Sequence, residues 1–146
     1  MSALDELYKE VILDHYKNPR NKRGLDEATV SRRKSNPLCG DEIEVHALLA
    51  DGEVKEVTFE GQGCSISQAS ASMLTESVRG KPVGDASTLV SEFRGMMEGR
   101  VEPDEDAFGD LVALKGVAKY PVRIKCAVLA WDVLQDALGD AGGGSA

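Results

Sequence analysis

The sequence predicts an α+β domain in which a small antiparallel β-sheet has helices packed against it. Three observations lead there. Apolar residues recur at helical spacing near the N-terminus and again through the second half of the chain. Apolar and polar residues alternate on either side of an Asp51-Gly52 pair. The chain has 146 residues, enough to bury one hydrophobic core.

In order along the chain, residues 4–17 are expected to be helical, because Leu4, Leu7, Tyr8, Val11, Ile12 and His15 share one face. Asn18-Pro19 ends that helix, since the residue before proline is driven out of the α region. His15, at the edge of the apolar face, reads as a packed, hydrogen-bonded side chain. Residues 28–35 suggest a polar edge strand. Residues 43–49 read as a half-buried strand, with Ile43, Val45 and Ala47 on one face and Glu44, His46 and Leu48 on the other; His46 is expected to be solvated. Asp51-Gly52 supplies a tight hairpin turn, and the returning strand carries Val57 and Phe59 and ends at Gly61-Gln62-Gly63.

Ser65 and Gln68 have the spacing of a capping box, opening a helix to about residue 79 before Gly80. A further helix is expected over 82–98, bent at Gly95, followed by an acidic connector over 102–106 and a short helix over 108–115. Pro121 suits the first turn of a last helix reaching about residue 138. Residues 1–139 are therefore expected to form a single domain, and 140–146 a flexible Gly-rich tail.

Composition narrows the function. Net charge is −8, which argues against general nucleic-acid binding, and no apolar run approaches the length of a membrane span. The first residues lack the basic and then apolar regions of a signal peptide, so a cytoplasmic location is expected. Charge is uneven. Lys17, Arg20, Lys22, Arg23, Arg32, Arg33 and Lys34 give residues 17–34 a net +5, which suits either a solvated loop or a docking strip for an acidic partner.

The cysteines number three, an odd count that points to metal ligands or reactive thiols over a disulfide framework in a reducing compartment. Cys39 lies in Asn36-Pro37-Leu38-Cys39-Gly40-Asp41, a turn entering a strand, and Asp41 two positions on projects to the same side of an extended segment. Cys64 stands at a helix start, where exposed amides favour a thiolate. Cys126 lies in the second turn of the last helix beside Arg123 and Lys125. Three thiolates and a carboxylate make a tetrahedral donor set of the kind zinc prefers. The spacing is not that of a zinc finger, with 24 residues between Cys39 and Cys64 and 61 between Cys64 and Cys126. Three unrelated core thiols are the competing reading. A carboxylate is a harder and more exchangeable donor than a third-row thiolate, which suits a working site over a purely structural one.

Four segments carry a family resemblance: residues 12–21 (Ile-Leu-Asp-His-Tyr-Lys-Asn-Pro-Arg-Asn), residues 36–41, residues 61–67 (Gly-Gln-Gly-Cys-Ser-Ile-Ser) and residues 123–126 (Arg-Ile-Lys-Cys). In these the chain resembles the SufU branch of the IscU-like family of zinc-dependent sulfur-transfer proteins and iron–sulfur scaffolds. The resemblance implies zinc held by Cys39, Asp41, Cys64 and Cys126. It also implies that Cys39 accepts persulfide sulfur from a SufS-type cysteine desulfurase, whose histidine takes over a zinc position, with downstream iron–sulfur scaffold proteins as recipients. Arg123 matches a basic position of that branch and is expected to support the acceptor thiol or the docked state. The alternative within the family is a scaffold that assembles a transient iron–sulfur cluster, [2Fe–2S] or [4Fe–4S], on the same ligands. Scaffold-type members carry histidine directly before the third cysteine, where this chain has Lys125, and lack the longer segment between the second and third cysteines that is present here.

Overall fold

A computed structural model describes residues 3–37 and 40–142; Leu38, Cys39 and the extreme termini lie outside the described residues. Within them the chain runs α1 (Ala3–Lys17), β1 (Val30–Asn36), β2 (Asp41–Ala50), β3 (Glu53–Gln62), α2 (Ser65–Val78), α3 (Val83–Met97), α4 (Glu105–Phe108), a 3₁₀ helix (Gly109–Lys119) and α5 (Pro121–Gly142). The three strands form one antiparallel sheet in the order β1-β2-β3. The α+β architecture expected from the alternating and helical periods is the one observed.

The β2–β3 hairpin turns at Asp51 and Gly52, with φ of 56° and 75°, so both central residues have the positive φ of a type I′ turn. This sets the register Ala50↔Glu53 and, beyond an irregularity at Leu48/Leu49, Val45↔Phe59 and Glu44↔Glu60. Ile43, Val45, Val57 and Phe59 thereby share the face that meets the helices, and all four are fully buried. The helices α2 and α5 lie against the sheet, and α1, α3 and the 3₁₀ helix pack onto them.

The core centres on α5. Trp131 is fully buried, stacks on Phe93 of α3 with ring centroids 4.5 Å apart, and donates its indole N–H to Ser70 Oγ of α2 at 3.0 Å. Trp131→Ala is expected to cost about 3–5 kcal/mol in urea unfolding, through lost burial and the cavity left behind. A loss below about 1 kcal/mol would place the core's stability elsewhere.

Several expectations meet a different local structure. The capping box does not form: Cys64, not Ser65, is the N-cap residue of α2, with no side-chain cap. Helix α3 runs unbroken across Gly95, where a Cβ would come 2.4 Å from Val101 Cγ2, so the glycine makes room for a neighbour. The segment expected to be a short helix over 108–115 is instead a 3₁₀ helix reaching Lys119. It buries Leu111, Leu114 and Val117, three residues apart, as a helix of three residues per turn requires. Helix α5 continues past residue 138 to Gly142.

His15 is packed and hydrogen-bonded, as expected. It is 2% exposed, with Nδ1 2.8 Å from Ser72 Oγ of α2 and Nε2 2.9 Å from Asp110 Oδ2 of the 3₁₀ helix. Since a carboxylate only accepts, Nε2 carries the proton and donates to Asp110. Much of the basic strip is tied down within the chain: Arg20 pairs with Asp14 at 2.7 Å, Lys34 with Asp136 at 3.0 Å, and Arg33 with Glu42. Hydrogen bonds from Arg20 and Asn18 hold the Asp14 carboxyl below its ordinary pKa.

Candidate metal centre

The sheet and two helix starts bring three of the four predicted ligands together. Asp41 opens β2 and is 1% exposed. Cys64 caps α2 just after β3, and Cys126, fully buried, lies in the second turn of α5. One donor atom from each of Asp41, Cys64 and Cys126 falls within a set whose members all lie within 4.8 Å of one another. Residues 23 and 85 positions from Asp41 in sequence thus converge because β2 pairs with β3 and α2 and α5 pack side by side.

Asp41 is fixed from two sides. Its Oδ1 accepts the backbone N–H of Cys64 at 2.8 Å, while Oδ2 lies 3.8 Å from Cys64 Sγ. The carboxylate therefore meets an amide at the start of α2 that has no acceptor within the helix. Close approach at this point depends on Gly63, with φ of 147°: a Cβ there would come 2.3 Å from Asp41 Oδ1 and 2.8 Å from its Cα. Gly40, on the other side of Asp41, has φ of 68°, consistent with the turn expected before the strand.

Cys126 is set by the α2–α5 contact. Ser70 Oγ donates to the carbonyl of Ala127 at 2.6 Å while accepting from Trp131, so one hydroxyl clamps the two helices beside the thiol. Asn36, paired with Asp41 across the β1–β2 ladder and 7% exposed, directs its Nδ2 amide at Cys126 Sγ from 3.9 Å. Amides aimed at sulfur tune a metal-bound thiolate. Asn36 was legible only as part of a turn motif, because its role depends on a ladder partner and a helix 90 residues away. Arg123 is exposed in the first turn of α5, one turn before Cys126, and Lys125 is exposed as well. Cys39 lies outside the described residues, between Pro37 and Gly40.

Two thiols and a carboxylate fit a zinc ion. Bonds of about 2.0–2.3 Å in a tetrahedron separate neighbouring ligands by about 3.3–3.8 Å. The 3.8 Å between Cys64 Sγ and Asp41 Oδ2 already matches such an edge. His46 differs from expectation: it faces away from the helices but is only 8% exposed, because β2 is the central strand and side chains of both neighbours flank the ring.

Fold and site together define a small α+β protein built around a thiolate–carboxylate metal centre. The family model for the NifU-like N-terminal domain matches residues 7–127, and the chain belongs to that family. It is 46% identical over 142 residues to a protein of Bacillus subtilis named zinc-dependent sulfurtransferase SufU, covering 97% of this chain and 96% of that one. It is 38% identical to an iron–sulfur cluster assembly scaffold protein IscU of Streptococcus pyogenes, covering 94% and 86% of the two chains. Among solved structures it resembles a SUF-system scaffold protein of Fervidobacterium islandicum, with TM-score 0.84 and 34% identity over 91% of this chain and 97% of that one. No described helix is long and apolar enough to cross a membrane.

Proposed function

We propose that this chain is a zinc-dependent sulfurtransferase that accepts persulfide sulfur at Cys39 from a SufS-type cysteine desulfurase and passes it to iron–sulfur scaffold proteins. The observation that carries the reading is the convergence of Asp41, Cys64 and Cys126. Near-full-length similarity to a protein named for this activity supports it. Cys39, two residues before Asp41, is the proposed fourth ligand.

When bound, zinc keeps the thiols deprotonated and restrains their reactivity. The chain's own residues do the rest. The Asp41 carboxylate is the hardest donor of the set, and its Oδ1 is already engaged by the Cys64 amide. Asn36 directs a donor at Cys126 and the Cys64 amide holds Asp41, so Asp41, Cys64 and Cys126 would hold zinc while a ligand supplied by the docked desulfurase would free the Cys39 thiolate. The Cys39 thiolate then attacks the outer sulfur of the desulfurase persulfide. A new S–S bond forms at Cys39, the desulfurase S–S bond breaks, and the desulfurase cysteine leaves as a thiolate, so no external oxidant or reductant is needed. Arg123, exposed one turn before Cys126, supports the docked state.

The second reading, a cluster scaffold, draws on the similarity to proteins named as IscU scaffolds. Against it stands Lys125 directly before Cys126, since an ammonium offers no lone pair to iron. Metal content of the purified protein, measured with desulfurase turnover in its presence and absence, separates the two. Near-stoichiometric zinc with increased turnover is expected. Iron and sulfide that survive gel filtration, with no increase in turnover, would overturn the sulfurtransferase reading in favour of the scaffold.

A further inference from the structure

The face of the sheet turned away from the helices holds a second convergence of metal-ligating side chains. Because Ile43, Val45 and Phe59 enter the core, the alternate residues Glu44, His46 and Glu60 point to the opposite face. His46 Nε2 lies 2.8 Å from Glu60 Oε1 and 4.0 Å from Glu44 Oε1, and one ligand atom from each residue falls within 4.8 Å of the others. His46 Nδ1 lies 2.7 Å from Ser31 Oγ of β1.

His46 Nε2 is within hydrogen-bond distance of one carboxylate and close to the second, so the position is filled either by the ring's own N–H donating to Glu60 or by a metal ion. Several features favour the metal. Ser31 Oγ can donate to Nδ1 or accept an Nδ1–H; when it accepts, the Nε2 lone pair faces the carboxylates, the arrangement usual for a metal-bound histidine. Ligands of an ion with bonds of about 2.0–2.2 Å lie about 2.8–3.6 Å apart, between the two distances observed. Glu44 and Glu60 also line an open cavity of about 290 Å³, which leaves room for an entering ion and its waters. Finally, Thr58 is the cross-strand partner of His46 on the same face; it is fully buried, and its hydroxyl has no hydrogen-bond partner. Arg33, on the rim, is paired with Glu42.

We propose that Glu44, His46 and Glu60 form a second cation site, for a divalent first-row ion that accepts one imidazole and two carboxylates, such as Mn²⁺ or Fe²⁺. It shares no ligand with the thiolate centre and lies on the other face of β2, so the chain carries one soft and one harder metal site. The inference does not depend on the sulfurtransferase reading.

The test loads the full chain with one equivalent of zinc, titrates it with MnCl₂ and counts bound Mn²⁺ by electron paramagnetic resonance. Mn²⁺ binds such donors more weakly than Zn²⁺ and does not displace zinc from thiolates. One saturable Mn²⁺ per chain is expected. Its affinity should fall at least about tenfold in Glu44→Gln and in Glu60→Gln, and about tenfold in Ser31→Ala, with zinc content unchanged. The glutamates are part-exposed and their amides isosteric, so these variants keep the fold; circular dichroism confirms that. Absence of saturable Mn²⁺ binding below about 1 mM would show that the cluster holds a proton and overturn the proposal. Saturation undiminished in both glutamine variants would overturn it equally.

Discussion

Cys39→Ser is expected to return desulfurase turnover to the rate of the desulfurase alone, a complete loss of stimulation. Serine keeps the size and a potential oxygen ligand, but its hydroxyl is almost wholly protonated at neutral pH and is a poor nucleophile toward sulfur. The thiolate is the species that attacks a persulfide. The control is Asp41→Ala, which keeps the acceptor and removes the carboxylate ligand together with its contact to the Cys64 amide; zinc retention against a chelator should fall while some sulfur acceptance persists. Mass spectrometry after incubation with desulfurase and cysteine should find the added sulfur on Cys39 and not on Cys64 or Cys126. Stimulation undiminished in Cys39→Ser would remove Cys39 from the acceptor role.

The second large effect concerns a residue with no side chain. Gly63→Ala places a methyl group 2.3 Å from Asp41 Oδ1 and 2.8 Å from Asp41 Cα, at a φ of 147° that alanine resists. A rotamer change moves the carboxylate but not the Cα at the start of β2, so the strand end itself has to shift. Strained backbone and overpacking together are expected to cost about 2–4 kcal/mol in denaturant unfolding. Zinc affinity should fall at least about tenfold, because Asp41 is displaced and its contact with the Cys64 amide is lost. Gly84→Ala is the matched control: nothing lies within 4 Å of its Cβ position inside α3, so it is expected to be neutral or stabilising by up to about 1 kcal/mol. A Gly63→Ala protein with ordinary stability and zinc affinity would show that the tight contact does not set the site.

Local patterns carried much of this protein. Asp51-Gly52 announced the hairpin because a type I′ turn needs those residues wherever it occurs. Alternation in 43–49 identified the core face of β2, and the helical period placed α1, α2, α3 and α5 to within a few residues. The ligands were legible as residue types in telling positions: an aspartate opening a strand, a cysteine at a helix start and a cysteine in the second turn of a helix.

What failed were features with one partner far along the chain. Ser65 and Gln68 fit a capping box locally, but the helix starts at Cys64, whose amide is taken by Asp41 from another strand. His46 alternates with the core residues and shares the polar face of β2 with Glu44, which suggested solvent. Its burial comes from β1 and β3 on either side of it. The three-residue spacing of Leu111, Leu114 and Val117 was present to be read, yet over so short a stretch it does not separate a 3₁₀ helix from an α-helix.

The sequence by itself determined the elements, the two-faced character of the sheet and the identities of the candidate ligands, because propensity, turn chemistry and periodicity act over a few residues. Only the tertiary structure decided that Asp41, Cys64 and Cys126 meet, that Gly63 leaves room for the carboxylate, and that Asn36 reaches Cys126. Those contacts depend on strand register and helix packing, where a displacement of one residue turns every side chain to the other face.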